Sequence, residues 1–207
     1  MSVKIKVLIA DDHAIVRMGL AALLSAKKDI EVVGQSRNGE AAVRDTLRLA
    51  PDVVIMDLMM PGMDGAEATA ELHRKLPSAA IIILTSYSTS DVIHRALEAG
   101  ATGAMLKTTG DDALLTAIRT VAAGKPFIST EVRRLLDSDP PISKLTDRQI
   151  EVLRSLTRGL SNKEIAKQLG ISSYRIQDHV NALLEKIGAA NRVEAVAIAL
   201  KKHLLKI

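Results

Sequence analysis

The stretch VVIMDLMMPGMDG, residues 53–65, decides the fold. Its first four residues, Val53–Met56, are apolar without interruption and rich in β-branched side chains, which suits a strand buried on both faces. A carboxylate, Asp57, follows at once, and Asp64 lies in a turn beside Gly65. Outward from this point the same grammar recurs. Short apolar runs stand at 3–10, 30–33, 81–84 and 104–106, and helical patterns at 13–26, 38–49, 65–75, 90–98 and 111–123. Five strands in strict alternation with five helices predict an α/β domain, a doubly wound five-stranded parallel sheet, over residues 1–124.

Gly124, Lys125 and Pro126 close that domain. Residues 127–136, FISTEVRRLL, predict one short helix capped by Ser129 or Thr130. It lies inside a linker, 125–144, whose last part, DSDPPISK, is stiffened by tandem prolines and kept exposed by polar residues. From Leu145 to residue 207 the pattern is all-α and predicts a four-helix domain. Thr146 and Gln149 form a capping box for helix 147–158, Ser161 caps 162–169, Ser172 caps 173–187, and Asn191 opens the last helix. Gly159, Gly170 and Gly188 stop the first three.

A chain of 207 residues with 47% apolar content has the material for two such cores. The absence of cysteine excludes disulfides, thiolate zinc sites and a cysteine nucleophile, and is compatible with a reducing cytosol. No apolar run approaches the roughly 20 residues that span a bilayer. Lys4 and Lys6 beside Val7, Leu8 and Ile9 resemble the start of a signal peptide, but Asp11 and Asp12 end the run too early. The expectation is a soluble, cytoplasmic protein with no membrane insertion.

The net charge of +4 is unevenly spread: 13 Lys+Arg against 15 Asp+Glu in residues 1–124, then 15 against 9 in the remainder. A basic second half favours a polyanionic partner. Tyr87, Phe127 and Tyr174 are the only aromatic residues, too few for base stacking along a single strand, whereas duplex binding needs no aromatic platform.

Polar residues fall at the strand ends. Asp11 and Asp12 follow the first strand, Asp57 the third, Thr85 the fourth and Lys107 the fifth. In an open parallel sheet these positions share the carboxyl edge, where ligands bind at the switch of strand order. Three carboxylates gathered there raise one another's pKa unless a cation sits among them. Oxygen ligands without thiolate or imidazole favour a hard divalent ion, most simply Mg²⁺. A carboxylate beside such an ion, with a lysine and a hydroxyl close by, suits phosphoryl transfer: Asp57 as nucleophile, Lys107 neutralising the transferred oxygens, Thr85 hydrogen-bonding the product. The first turn reads ADDH, residues 10–13, in place of a Gly-rich nucleotide loop.

In combination, VLIADDHAIVRMGL (7–20), VVIMDLMMPGMDG (53–65), IIILTS (81–86) and GAMLK (103–107) resemble the receiver domain of two-component response regulators, over residues 3–124. The resemblance implies that Asp57 is the phospho-acceptor and that a sensor histidine kinase supplies the phosphoryl group. It further implies that Asp11, Asp12, Asp57 and the backbone carbonyl of Met59 hold Mg²⁺, and that Thr85 and Lys107 are the switch hydroxyl and phosphate-binding lysine. One position departs from the pattern. The family usually carries an aromatic residue three before the lysine, where this chain has Ala104. Activation is therefore expected to be transmitted differently or only weakly, with Tyr87 as the candidate substitute for the aromatic partner.

In the second half, two short helices joined by LGIS (169–172) make a helix-turn-helix. Leu160, Ile165, Ala166, Leu169 and Ile171 supply its interior; Ile176, Val180, Leu183, Leu184 and Ile187 face inward from the following helix, and Gln177, Asp178, Asn181 and Glu185 face out. A helix with that polar face fits a major groove. LTDRQIEVLRSLTRGLSNKEIAKQLGIS and HVNALLEKIGAANRVEAVAIAL resemble the DNA-binding domain of the NarL/FixJ (LuxR-type) class, over residues 145–205. The resemblance implies a recognition helix at 173–187 and a last helix, from Asn191, that forms a homodimer when the protein is active. Lys163 and Arg192 are read as solvated or phosphate-facing cations. The family's base-reading positions correspond to Gln177, Asp178 and Asn181, and Arg175 replaces a usual threonine. Amides pair bidentately with adenine, so an A/T-leaning half-site is expected; Arg175 adds phosphate attraction and Asp178 opposes it.

The expected function is a response regulator: phosphorylation of Asp57 by a histidine kinase controls sequence-specific binding to double-stranded DNA and so transcription. It is not an enzyme beyond its own phosphoryl transfer and possible autodephosphorylation. The alternative is a phosphorylation-independent DNA-binding regulator that uses its receiver as a docking module. A phosphotransferase acting on small substrates would want a second aspartate close after the nucleophile, where Leu58 and Met59 stand.

Overall fold

The structure, a computed structural model, describes residues 4–86, 90–139, 142, 145–202 and 204–205. It divides into two compact units, Met1–Asp139 and Pro140–Ile207.

In the first unit, β1 (Ile5–Ala10), β2 (Ile30–Ser36), β3 (Val53–Met56), β4 (Ala80–Thr85), β5 (Gly103–Leu106) and β6 (Phe127–Ile128) form one sheet in the order β2-β1-β3-β4-β5-β6. Every pairing is parallel. Alternate residues on each strand serve opposite faces. Leu8, Ala10, Val54, Met56, Ile81, Ile83 and Ala104 enter one core, and Val7, Ile9, Val53, Ile55, Ile82, Leu84 and Met105 the other. Helices α1 (Ala14–Ser25) and α5 (Asp111–Ala122) cover the second core. The first is covered by α2 (Gly39–Leu49), α3 (Gly65–Lys75) and α4 (Ser90–Glu98). This is the doubly wound arrangement, with buried strands that carry no polar alternation because both faces are packed.

The sheet has six strands where the sequence reading has five. Phe127 and Ile128, expected to begin a helix, instead extend the sheet: the Phe127 amide donates to the Thr102 carbonyl at 3.1 Å and the Ser129 amide to the Ala104 carbonyl at 3.0 Å. The helix, α6 (Thr130–Ser138), starts after Ser129, one of the two expected caps, whose hydroxyl accepts from the Val132 amide. Val132 is fully buried, and Leu135 and Leu136 pack on the same core as Ala104. Residues 127–138, read as part of a linker, therefore complete the first unit. The small side chain at Ala104 and the open edge of β5 receive this segment. The structure also extends β2 three residues further than expected, to Ser36. Tyr87 lies outside the described residues.

The second unit consists of α7 (Asp147–Thr157), α8 (Asn162–Leu169), α9 (Ser173–Ile187) and α10 (Arg192–Lys201). The expected caps are present: Thr146 with Gln149 and Ser161 with Glu164 form reciprocal capping boxes, Ser172 accepts from the Arg175 amide, and Asn191 accepts from Val193 and Glu194. Gly170 and Gly188 end α8 and α9 in the left-handed conformation (φ 66° and 71°), which a side chain would strain. Val152, Leu153, Leu156, Ile165, Ile176 and Leu183 form the centre of the core.

Candidate functional site

Asp11 and Asp57 terminate neighbouring strands β1 and β3, on either side of the point where strand order reverses. The backbone sets their spacing: the Asp57 amide donates to the Ala10 carbonyl at 2.8 Å, and the Asp11 amide to the Ser36 carbonyl at 3.1 Å. Gly65, first residue of α3, sits so close to the Asp57 carbonyl that a Cβ there would collide with it. Glycine thus allows α3 to begin against the strand end that presents Asp57.

Asp11 is 2% exposed and Asp57 is 3% exposed. Lys107, reaching over from the end of β5, places Nζ 2.6 Å from Asp11 Oδ2 and 3.2 Å from Asp57 Oδ2. Its own amide donates to the Thr85 carbonyl at 2.8 Å, so β4 fixes its position; Thr85, the last residue of β4, is fully buried. The remaining Asp11 oxygen, Oδ1, accepts from the His13 amide, and Asp57 Oδ1 accepts from the Leu58 amide at 2.9 Å. Met59 stands two residues beyond Asp57, with its side chain against the core.

Burial dominates the electrostatics of Asp57. Desolvation pushes its pKa up, the Lys107 charge opposes this, the Asp11 charge adds to it, and the outcome is about 6 against an ordinary 3.8. Burial also works against the Lys107 ammonium, but hydrogen bonds and charges from Asp11 and Asp57 outweigh it and raise the lysine above its ordinary range.

One lysine cannot neutralise three carboxylates. Asp12 Oδ1 is enclosed and accepts no well-directed hydrogen bond, with His13 Nδ1 2.7 Å away. Ligand atoms of Asp11, Asp12, His13 and Asp57 lie within 4.8 Å of one another. The three carboxylates, with their excess of negative charge and an unsatisfied oxygen, fit a hard divalent cation, and the His13 imidazole beside them is not a ligand that such an ion prefers. The sequence reading missed His13; its signal was the ADDH turn itself, which seats the imidazole at the cap of α1 beside Asp12.

In the second unit, α8 and α9 form the helix-turn-helix. Arg175, Gln177, Asp178 and Asn181 are all exposed on α9, opposite buried Ile176, Val180, Leu183 and Ile187, and Lys163 is exposed on α8. Two groups act differently from the reading. Arg192 is not simply solvated: its Nη2 donates to the Leu160 carbonyl at 2.6 Å, tying α10 to the turn before α8. Asn162, which the sequence reading passed over, donates to Gln177 Oε1 at 2.7 Å.

Both halves match known families. Residues 7–119 match the response regulator receiver domain and residues 143–199 the bacterial regulatory proteins of the luxR family. The chain is a LuxR-type response regulator. The regulator is 39% identical to the transcriptional regulatory protein LiaR of Bacillus subtilis, over 97% of this chain and 99% of that one. It is 36% identical to the response regulator protein VraR of Staphylococcus aureus, over 98% and 99%. Among solved structures it is similar to RcsB of Salmonella enterica serovar Typhimurium bound to promoter P1flhDC with a phosphomimetic (30% identity, TM-score 0.72, covering 96% of this chain and 98% of that one). It is likewise similar to a structure of two RcsB dimers bound to two parallel DNAs (30% identity, TM-score 0.70, with the same coverage). The regulator thus pairs a receiver, the partner domain of histidine kinases, with a DNA-binding output domain, and is a transcription regulator rather than an enzyme in the ordinary sense. No helix among the described residues is long and apolar enough to cross a membrane.

Proposed function

We propose that Asp57 is the phospho-acceptor of this regulator and that its modification governs DNA occupancy by the second unit. The observation that carries this reading is the Lys107 ammonium set between Asp11 and Asp57 at the carboxyl edge of the sheet. An Asp57 carboxylate oxygen attacks the phosphorus of a kinase phosphohistidine; the P–N bond breaks, its electron pair leaves with the imidazole, and an acyl phosphate remains on Asp57. Lys107 then exchanges part of its carboxylate pairing for the phosphoryl oxygens, and the Thr85 hydroxyl donates to them. Asp11, Asp12, Asp57 and the Met59 carbonyl would hold Mg²⁺, which supplies neutralising charge to the transferred group. Attack of water on the acyl phosphate returns Asp57 and ends the signal.

With Ala104 in place of an aromatic side chain, transmission passes through the segment that covers it. The Ser90 hydroxyl, at the start of α4, donates to the Asp139 carboxylate at the end of the first unit at 2.9 Å. A shift of α4 therefore reaches the residue that precedes Pro140. Association of two copies supports the output: Ile15 and Met18 on α1, and Val193 and Leu200 on α10, are large apolar side chains open to solvent. Two linked half-site contacts raise occupancy without new base contacts. The place of work is the cytoplasm, where the DNA target lies.

Radiolabelled acetyl phosphate with Mg²⁺ tests the reading. Wild type should be labelled and Asp57→Ala should not; unlabelled wild type overturns it. Equal DNA affinity with and without the label would favour the docking-module alternative, which Ala104 alone recommends.

A further inference from the structure

Three amide side chains form a chain across the corner between α8 and α9. Asn162 Nδ2 donates to Gln177 Oε1 at 2.7 Å, and Gln177 Nε2 donates to Asn181 Oδ1 at 2.9 Å. Gln177 and Asn181 are exposed, one turn apart on the face proposed to meet DNA.

A primary amide offers two lone pairs on oxygen and two N–H donors. The chain uses one of each at Gln177. What remains is one lone pair and one N–H, the pair that adenine N6–H and N7 require in the major groove. An unsupported glutamine rotates freely about its last torsion and presents oxygen and nitrogen interchangeably. Here reversal of Gln177 alone would set its NH₂ against the NH₂ of Asn162 and its oxygen against the oxygen of Asn181. The three amides can reverse only together.

We propose that Asn162, on the helix before the recognition helix, is a positioning residue that holds Gln177 and Asn181 as one adenine-reading unit. It acts through Gln177, not by touching a base. The proposal rests on the assignment of α9 as the DNA-reading helix. Because the side-chain ordering is made before binding, the gain falls on discrimination between bases and not on attraction to phosphates.

The test uses the full-length protein and duplexes that the wild type selects from a random pool. Binding is compared between the selected duplex and versions in which each adenine of the half-site is replaced. Asn162→Ala should lower the adenine preference about fivefold, the freedom of one unrestrained side chain, while affinity for unrelated duplex stays unchanged. Asn162→Asp, which suits a helix first turn and so keeps α8 formed, should lower the same ratio because a carboxylate cannot donate to Gln177. In a Gln177→Ala background, Asn162→Ala should have no further effect on the ratio. An unchanged ratio, a loss equal on every duplex, or an effect that persists without Gln177 would overturn the proposal. If Gln177→Ala itself leaves base preference intact, the assignment of α9 contacts fails, and the proposal with it.

Discussion

Asp57→Asn should stabilise the metal-free protein at neutral pH, although it removes the acceptor. Folding buries the Asp57 carboxyl almost completely and moves its pKa from an ordinary 3.8 to about 6. At roughly 1.4 kcal/mol per tenfold change in proton affinity, keeping the group ionised costs the fold about 3 kcal/mol above pH 6. Asparagine has the same shape and no charge. Lys107 loses its 3.2 Å contact with Asp57 but keeps Asp11 at 2.6 Å, so a net gain of about 2–3 kcal/mol is expected, roughly 7–10 °C for a unit of this size. The sign follows from the direction of the shift. Stability associated with the neutral carboxyl is complete below pH 3.8 and is lost as pH rises through about 6. Variant and wild type should therefore coincide near pH 4 or below and separate as pH rises. Calorimetric melting across this range, with and without Mg²⁺, reads the difference; Mg²⁺ should narrow it by stabilising the wild type more than the variant, which has lost one anionic ligand. A wild type more stable than Asp57→Asn at neutral pH without divalent cation, or a gap that survives undiminished in acid, would refute the reasoning.

Lys107→Ala should slow labelling by acetyl phosphate roughly 10- to 100-fold, the loss of one charged hydrogen bond at the phosphoryl group, and should drive the Asp57 pKa further up; a rate within about twofold of wild type would deny the lysine its role. Ala104→Phe should overpack the core under α6, costing about 1–3 kcal/mol, and should lower hydrogen-exchange protection of residues 130–138; unchanged protection would mean that α6 does not rest on this position. Ser161→Ala removes the cap of α8 and should cost the second unit about 1 kcal/mol in urea unfolding, with no effect on labelling of Asp57. Ser90→Ala breaks the bond to Asp139 and should weaken the dependence of DNA affinity on phosphorylation; an unaltered response would place the transmission elsewhere.

The parts of the fold most legible in the sequence were those where one face or one cap dictates one outcome. Val53–Met56 has no polar residue to turn outward, so it reads as a doubly covered strand, and Thr146, Ser161 and Ser172 each announce a helix start through a hydroxyl that accepts from the third residue on. The meeting of Asp11, Asp57 and Lys107 was legible for the same reason, since parallel strands bring their ends to a single edge. Residues 127–138 were harder. FISTEVRRLL carries a helical pattern, and nothing within it states that its first two residues would find an open strand beside them; that depends on β5, more than twenty residues away in sequence. Asn162 and Arg192 escaped for a related cause: each is a polar residue outside the core, and neither has a partner in its own helix pattern until a neighbouring element brings Gln177 or the Leu160 carbonyl within reach.

The sixth strand bears on where this protein can be cut. A fragment ending at Gly124 keeps every residue of the acidic site, yet it strips Phe127 and Ile128 from β5 and uncovers the ground on which Val132 sits. The backbone groups of Thr102 and Ala104 that now pair with this segment would then be free to recruit a strand from another molecule, and such a fragment should aggregate where one ending at Asp139 stays monodisperse.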